Sequence, residues 1–327
     1  MTLDTCPMVQ VEVRFSCHHI MMQGRGFLVT RVRVAVMGYG NVGKSAVAAV
    51  SRAPDMQLAA LVRRVADRPR ELAEEVPVVD NIAELEGINV LVLAVPTRST
   101  EQFARACLTR GINTVDSFDL HGDEMLRYLG TLDGSARESG ACAIIGAGWD
   151  PGVDSAVRAY MEVLASRGIT HTNFGPGISL GHSVACRNIP GVSDAVSYTI
   201  PAGGGVHRRE VYVELEKDAD FERVRADILS DPYFEHDATV VREISDVAEV
   251  TDLGHGVLAE RRGASAEAHN TTVQFSLRGT NPAITAEVMV NAARATLRMA
   301  PGAYTMGDIP PLHLLPGERE ELIRRLI

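Results

Sequence analysis

The stretch Gly38-Tyr39-Gly40-Asn41-Val42-Gly43-Lys44-Ser45 fits two nucleotide chemistries at once. Gly38, Gly40 and Gly43 spell a dinucleotide-binding turn. Gly38 makes the tight bend, Gly40 lets backbone approach a pyrophosphate beside Asn41 and Val42, and Gly43 allows close helix–strand packing. Gly38 with Gly43, Lys44 and Ser45 spells instead the phosphate loop of an NTPase. An NTPase also needs an acidic residue ending an apolar strand, to hold magnesium. The best strand, residues 88–99, closes on Pro96-Thr97-Arg98-Ser99 with no carboxylate. A dinucleotide site needs, about 20 residues past the turn, a carboxylate for the ribose of NAD or basic groups for the 2′-phosphate of NADP. Here the second strand runs into Arg63-Arg64. Two guanidinium forks can clamp a dianionic phosphate that a carboxylate would repel. The spacing therefore predicts NADP, with the helix N-terminus facing the phosphates and Lys44-Ser45 a coincidence of its first turn.

These groups require a scaffold. Residues 31–38 form an apolar run ending in glycine, and residues 41–53 follow with helical spacing. Residues 55–64, 77–80, 88–99, 112–119 and 141–148 read as further strands, with helices over 99–111 and up to Gly140. This alternation predicts an α/β fold, a doubly wound parallel Rossmann sheet. Its ligands bind outside the carboxyl ends of the strands. The candidates there are Pro96, Thr97, Arg98 and Ser99, then Asp116, Ser117, Phe118 and Asp119, then Gly148, Trp149, Asp150, Pro151 and Gly152. Asp150 before Pro-Gly fits a helix cap as well as a ligand contact. Asp116 and Asp119 share one loop, so at least one is expected to turn toward ligand. Beyond Pro151, a helix precedes Val- and Thr-rich strands divided by glycines, with a helix over 219–234 among them. These predict an α+β domain with a mixed or antiparallel sheet. An amphipathic helix over 281–299 is expected to pack back on the first domain. The expected divisions are thus 1–30, 31–150, 151–280 and 281–327.

Composition narrows the function classes. The 327 residues are 46% hydrophobic, enough for a sizeable core, and the net charge of −10 argues against nucleic-acid binding. No apolar run reaches the roughly 18–20 residues of a membrane span. Five scattered cysteines (Cys6, Cys17, Cys107, Cys142, Cys186) fit free thiols in a reducing cytoplasm better than a disulfide framework. They offer no metal cluster, and adjacent His18 and His19 without further ligands do not make one. Residues 1–30 lack the charged and apolar regions of a secretory signal and read as a disordered extension.

The runs GYGNVG, ALVRR, VPTRS, TVDSFDLHGD, GWDPG, FGPG, GHS, TIPAGGGVHRR and DLGHGV together resemble the meso-diaminopimelate D-dehydrogenase family, from about residue 31 to the C-terminus. The combination of GWDPG with FGPG and GHS is far more specific than the glycine turn. The resemblance implies NADP-dependent, reversible oxidative deamination of the D-centre of meso-2,6-diaminopimelate. The products are L-2-amino-6-oxopimelate, which cyclises to tetrahydrodipicolinate, and ammonia, within lysine and diaminopimelate biosynthesis. It also implies a homodimer whose 151–280 region binds substrate and dimerises. By position it assigns the D-centre to Asp119, Trp149, Asp150 and the Leu180-Gly181 backbone. The L-centre falls to Phe174, Thr199, Arg209, His255 and Asn281. Asp119 and Asp150 suit this, since a reacting ammonium needs carboxylates to hold it and take its proton. Arg209 offers a fork to the distal carboxylate. Read alone, Arg208-Arg209 also fits a solvated pair, His255 a turn residue, and Asn281 a helix cap. Leu180 and Phe174 replace Met and Trp of some relatives, and so resemble the branch that also forms D-amino acids from 2-keto acids.

Overall fold

Val34, Ala35 and Val36 are fully buried in β1 (Val32–Met37), the strand on which the first sheet is organised. The computed structural model describes residues 31–234, 237–251 and 254–327. The expectations for residues 1–30, including Cys6, Cys17, His18 and His19, lie outside them.

After β1 come α1 (Asn41–Arg52), β2 (Met56–Val62), β3 (Val78–Val79), β4 (Val90–Leu93), α2 (Thr97–Leu108), β5 (Asn113–Asp116), α3 (Asp123–Ser139) and β6 (Cys142–Ile144). They continue into α4 (Val153–Leu164), β7 (Arg167–Phe174), β8 (Gly177–Ile178), α5 (Leu180–Arg187), β9 (Val192–Gly203), β10 (Val206–Leu215), α6 (Phe221–Ser230) and β11 (Ala238–Glu243). The chain closes with β12 (Gly254–Ser265), β13 (Ala268–Thr280), α7 (Asn281–Thr296), β14 (Gly302–Tyr304) and α8 (Arg319–Leu326). The first sheet has the order β14-β6-β5-β4-β1-β2-β3, with every pairing parallel. The order reverses between β1 and β4, which opens a crevice at their carboxyl ends.

The chain then builds two smaller sheets. β11-β10-β9-β8 is mixed, with β10 and β11 parallel and the other pairs antiparallel; β13-β12-β7 is antiparallel throughout. The two meet where β8 lies against β12. A Cβ on Gly177 would lie 2.5 Å from the Cα of His255, so only glycine allows that approach.

Three elements differ from expectation. β4 has four residues, and Thr97, Arg98 and Ser99 open α2, because Pro96 cannot donate to a ladder and starts the turn. The Val- and Thr-rich run 198–216, one of the stretches expected as longer strands, folds into the β9–β10 hairpin at Gly203-Gly204-Gly205, all at positive φ. α7 is buried on most of its surface, not along one stripe, because it lies against α1 and the sheet. Its Arg294 is 4% exposed and grips Asp55 through two bonds of 2.5 and 2.7 Å.

Candidate active site

The crevice begins at the glycine turn. Gly38 has φ +93, and a Cβ there would lie 2.2 Å from Ala94 O; a Cβ on Gly43 would lie 2.2 Å from Gly38 O. Gly40 faces open space, with nothing within 4 Å of its Cβ position. α1 starts directly after it, with no side-chain cap and no acidic residue in its first turn. Its leading N–H groups and the positive end of its dipole are therefore offered to an anion. These are the features a pyrophosphate requires, so the turn fits a dinucleotide.

The arginine couplet divides. The Arg63 guanidinium lies 5.4 Å from the centre of the Tyr39 ring. Arg64 is 85% exposed and pairs with Asp67 at 2.8 Å. Asp67 also lies 3.9 Å from Arg63, so one carboxylate partly neutralises both. Lys44 Nζ stands 5.7 Å from the same Tyr39 ring. The lysine read as a coincidence thus joins Arg63 in a basic cluster around that ring.

The strand-end residues also sort themselves. Thr97 Oγ1 donates to Asp119 Oδ1 at 2.5 Å, tying the start of α2 to the loop after β5. Ser99 turns back to Pro96 O, and Arg98 is exposed. Ser117 and Asp119 line a cavity, whereas Asp116 and Phe118, expected at the cofactor, point inward. Asp116 is fully buried; its Oδ1 accepts from Phe118 N at 3.0 Å and Gly146 N at 3.1 Å, and its Oδ2 accepts from Tyr128 Oη at 2.7 Å. Phe118 is 4% exposed and stacks on Tyr128. Burial pushes the Asp116 carboxyl up to about 6, against the pull of its donors. Asp116 is a brace joining the loops after β5 and β6. Asp116→Ala strands three buried donors and is expected to cost on the order of 3 kcal/mol, or roughly 10 °C of Tm, measured by thermal unfolding.

The cavity has a volume of about 310 Å³ and lies at the carboxyl ends of β5 and β6, facing β7, β8 and β12. It brings together Val42, Ser117, Asp119, Gly148, Trp149, Asp150, Pro151, Phe174, Leu180, Gly181, His255 and Asn281 from the sequence-derived set. Its wall is aromatic. The ring of Trp149 meets Phe174 edge-on at 6.2 Å and His255 at 5.3 Å, and Phe174 lies 5.5 Å from His207. Trp149 Nε1 donates to Asn281 Oδ1 at 3.0 Å, and Thr285 Oγ1 donates to the same oxygen at 3.2 Å. Asn281 therefore orients the tryptophan and does not cap α7, whose N-cap is Thr280. His255 is 8% exposed, and burial pushes its imidazole below the usual range, followed by smaller effects that include the Arg209 charge.

Thr199 and Arg209 do not line the cavity. They face each other across β9 and β10, where Arg209 donates to Thr199 Oγ1 and, at 2.6 Å, to Asp237 Oδ2. Arg209 is near enough to His255 for its charge to be felt there, and it has a counterion already in place.

Sequence reasoning missed several neighbours. Ile178, Ser179 and Thr285 also line the cavity. His182 bonds Ser179 Oγ at 2.7 Å and Tyr233 O at 3.0 Å, holding the segment that presents Leu180 and Gly181. Burial pushes its imidazole down to about 4. His207 Nε2 accepts from Phe174 N at 2.9 Å. His182 follows Ser179 by three residues, a spacing that signals a local bond; nothing local pairs His207 with Phe174. Among the described residues no group of three or more His, Cys, Asp or Glu could hold a metal ion.

Comparison with known proteins bears on these features. Residues 32–115 match the model of an oxidoreductase family with an NAD-binding Rossmann fold, and residues 148–206 that of the diaminopimelic acid dehydrogenase C-terminal domain. The chain is 48% identical to the meso-diaminopimelate D-dehydrogenase of Bacteroides fragilis over 301 residues, covering 91% of this chain and 99% of that one. Its fold superposes on the Corynebacterium glutamicum diaminopimelate dehydrogenase solved with diaminopimelate. That match has a TM-score of 0.81 at 30% identity, over 91% of this chain and all of the other. An engineered D-amino acid dehydrogenase bound to NADP+ superposes with a TM-score of 0.77 at 29% identity, with the same coverage.

Proposed function

Because the chain belongs to the meso-diaminopimelate D-dehydrogenase family, we propose that it oxidatively deaminates the D-centre of meso-2,6-diaminopimelate, with NADP+ as cofactor, releasing L-2-amino-6-oxopimelate and ammonia. The chain is an oxidoreductase with a Rossmann NAD(P)-binding domain. The observation that carries the reading is the convergence of Asp119, Trp149 and Asp150 in one cavity beside the glycine turn.

The substrate is zwitterionic at both ends, so its site needs acids for one ammonium and donors for the carboxylates. Asp119 and Asp150 hold the reacting ammonium and take up its proton, since the amine must be neutral before its carbon can release hydride. Trp149 and Phe174 cover that carbon and exclude water. Asn281 fixes the tryptophan ring through its oxygen, which leaves the amide nitrogen as a donor to substrate. The Leu180-Gly181 backbone, steadied by His182, contacts the D-centre carboxylate. At the far end Thr199, Arg209 and His255 receive the L-carboxylate; Arg209 does so by sharing or exchanging its bond with Asp237.

Gly38, Gly40, Asn41, Val42 and Gly43 would hold the pyrophosphate, and Thr97, Ser117, Trp149 and Pro151 would border the nicotinamide, which when bound supplies the hydride acceptor. Arg63, with Lys44 near the same Tyr39 ring, supports NADP over NAD. Arg63→Ala is expected to lower the NADP/NAD ratio of kcat/KM at least tenfold, and adding Arg64→Ala lowers it further. A charge-assisted bond to phosphate contributes about 1.5–3 kcal/mol, and an unchanged ratio contradicts the assignment.

Cofactor reduction followed with meso-, L,L- and D,D-diaminopimelate tests the whole reading. Turnover is expected with the meso isomer, and its absence there overturns the function. A second reading rests on Leu180 and Phe174, which both line the cavity and leave part of it apolar: reductive amination of 2-keto acids to D-amino acids. NADPH consumption with ammonia and pyruvate or phenylpyruvate tests it. We assign the protein to the cytoplasm, and we read it as a homodimer, for which the exposed apolar residues Tyr160, Val163, Leu164 and Ile169 on α4 and β7 offer a surface.

A further inference from the structure

Asp150 does not stand alone in the cavity wall. Its Oδ1 accepts from Arg158 Nη2 at 3.3 Å. The same nitrogen donates to Ser155 Oγ at 3.2 Å and lies 3.4 Å from Asp154 Oδ2. The other arm of the guanidinium, Nη1, reaches Thr172 Oγ1 on β7 at 3.5 Å. Arg158 is thereby held between α4 and β7 and spans three acceptors on the loop and first turn of α4. Asp154 precedes it by four residues, so the two share one face of the helix.

The two carboxyls differ in access. The Asp150 side chain is 12% exposed and lines the cavity, whereas Asp154 is fully buried. Burial, then repulsion by Asp150, pushes the Asp154 carboxyl up to about 8. Burial and the neighbouring Asp150 thus disfavour a charge on Asp154, which leaves Asp150 the more accessible partner for the guanidinium.

We propose that Arg158 is a positioning residue for Asp150: it fixes Oδ1, so that the remaining oxygen is aimed at the reacting ammonium. This rests on the assignment of Asp150 to the reacting amine. A carboxylate bonded by a half-buried guanidinium that is itself anchored to Ser155 and Thr172 loses the freedom to swing with the substrate, and misplacement of about 1 Å can cost on the order of a hundredfold in rate. A lysine at this position keeps the charge but lacks the second arm that reaches Thr172.

Steady-state oxidation of meso-diaminopimelate by the full chain is measured for wild type, Arg158→Met, Arg158→Lys and Asp150→Asn. Arg158→Met is expected to lower kcat at least tenfold with the KM for NADP+ within twofold of wild type, and Arg158→Lys to recover part of the loss. A kcat within twofold of wild type in Arg158→Met, or a fall matched by an equal rise in the KM for NADP+, overturns the proposal. Where Arg158→Met does not fold, Arg158→Lys decides by the same two criteria. Asp150→Asn separates this proposal from the reading beneath it. If that variant turns over like wild type, the assignment of Asp150 itself fails. If it collapses while the Arg158 variants do not, only the positioning role is lost.

Discussion

Asp119→Asn and Asp150→Asn should each lower kcat for meso-diaminopimelate oxidation by about 10²–10⁴-fold, the range supplied by a positioned general acid or base. The KM for NADP+ should move by less than about threefold, because neither side chain belongs to the glycine turn that faces the pyrophosphate. The amide keeps the size and part of the hydrogen bonding of the carboxylate but cannot take a proton. Asp119 already accepts from Thr97 at 2.5 Å, and Asp150 from Arg158 at 3.3 Å. The variant with the larger loss identifies the proton acceptor, since each aspartate has one oxygen tied to protein. Equal losses in kcat and cofactor affinity would mean that the residue serves the fold instead.

Arg209→Met should raise the KM for meso-diaminopimelate about 100-fold, with the KM for NADP+ unchanged. Truncating one partner of a buried, hydrogen-bonded charge pair costs about 2–5 kcal/mol. Arg209 is such a partner: its side chain is 13% exposed and bonded to Asp237 and Thr199. If Arg209 serves the distal carboxylate as proposed, the variant loses that fork and leaves Asp237 without its counterion, which adds repulsion to the missing attraction. Substrate titration at saturating NADP+ measures the effect. A KM within threefold of wild type would remove Arg209 from the distal subsite.

Much of the scaffold was legible because its signals are local. Apolar runs ending in glycine gave β1 and the turn after it. The αL glycine at Gly140 closed α3 at the expected place. The misreadings have physical causes too. Burial of α7 on most of its surface depends on the sheet lying beneath it, and its many small residues fit that surface without forming a polar stripe. Asp116 looked like a site carboxylate because it ends a strand, yet it turns inward to Tyr128, Phe118 and Gly146, donors up to 30 residues away. Lys44 was discounted because the phosphate loop failed, although its position one turn into α1 brings it to Tyr39 whichever nucleotide is bound.

By itself the sequence determined the Rossmann turn, the strand ends that carry Asp119 and Asp150, and the motif set that resembles one dehydrogenase family. Such features are encoded in spacings of a few residues, where backbone geometry leaves few options. Only the tertiary structure decided the partners of those groups. Trp149 is oriented by Asn281, 132 residues away, Phe174 is held by His207, and Arg209 is neutralised by Asp237. A buried polar group must find its partner wherever packing brings one, and that search runs across sheets, not along the chain.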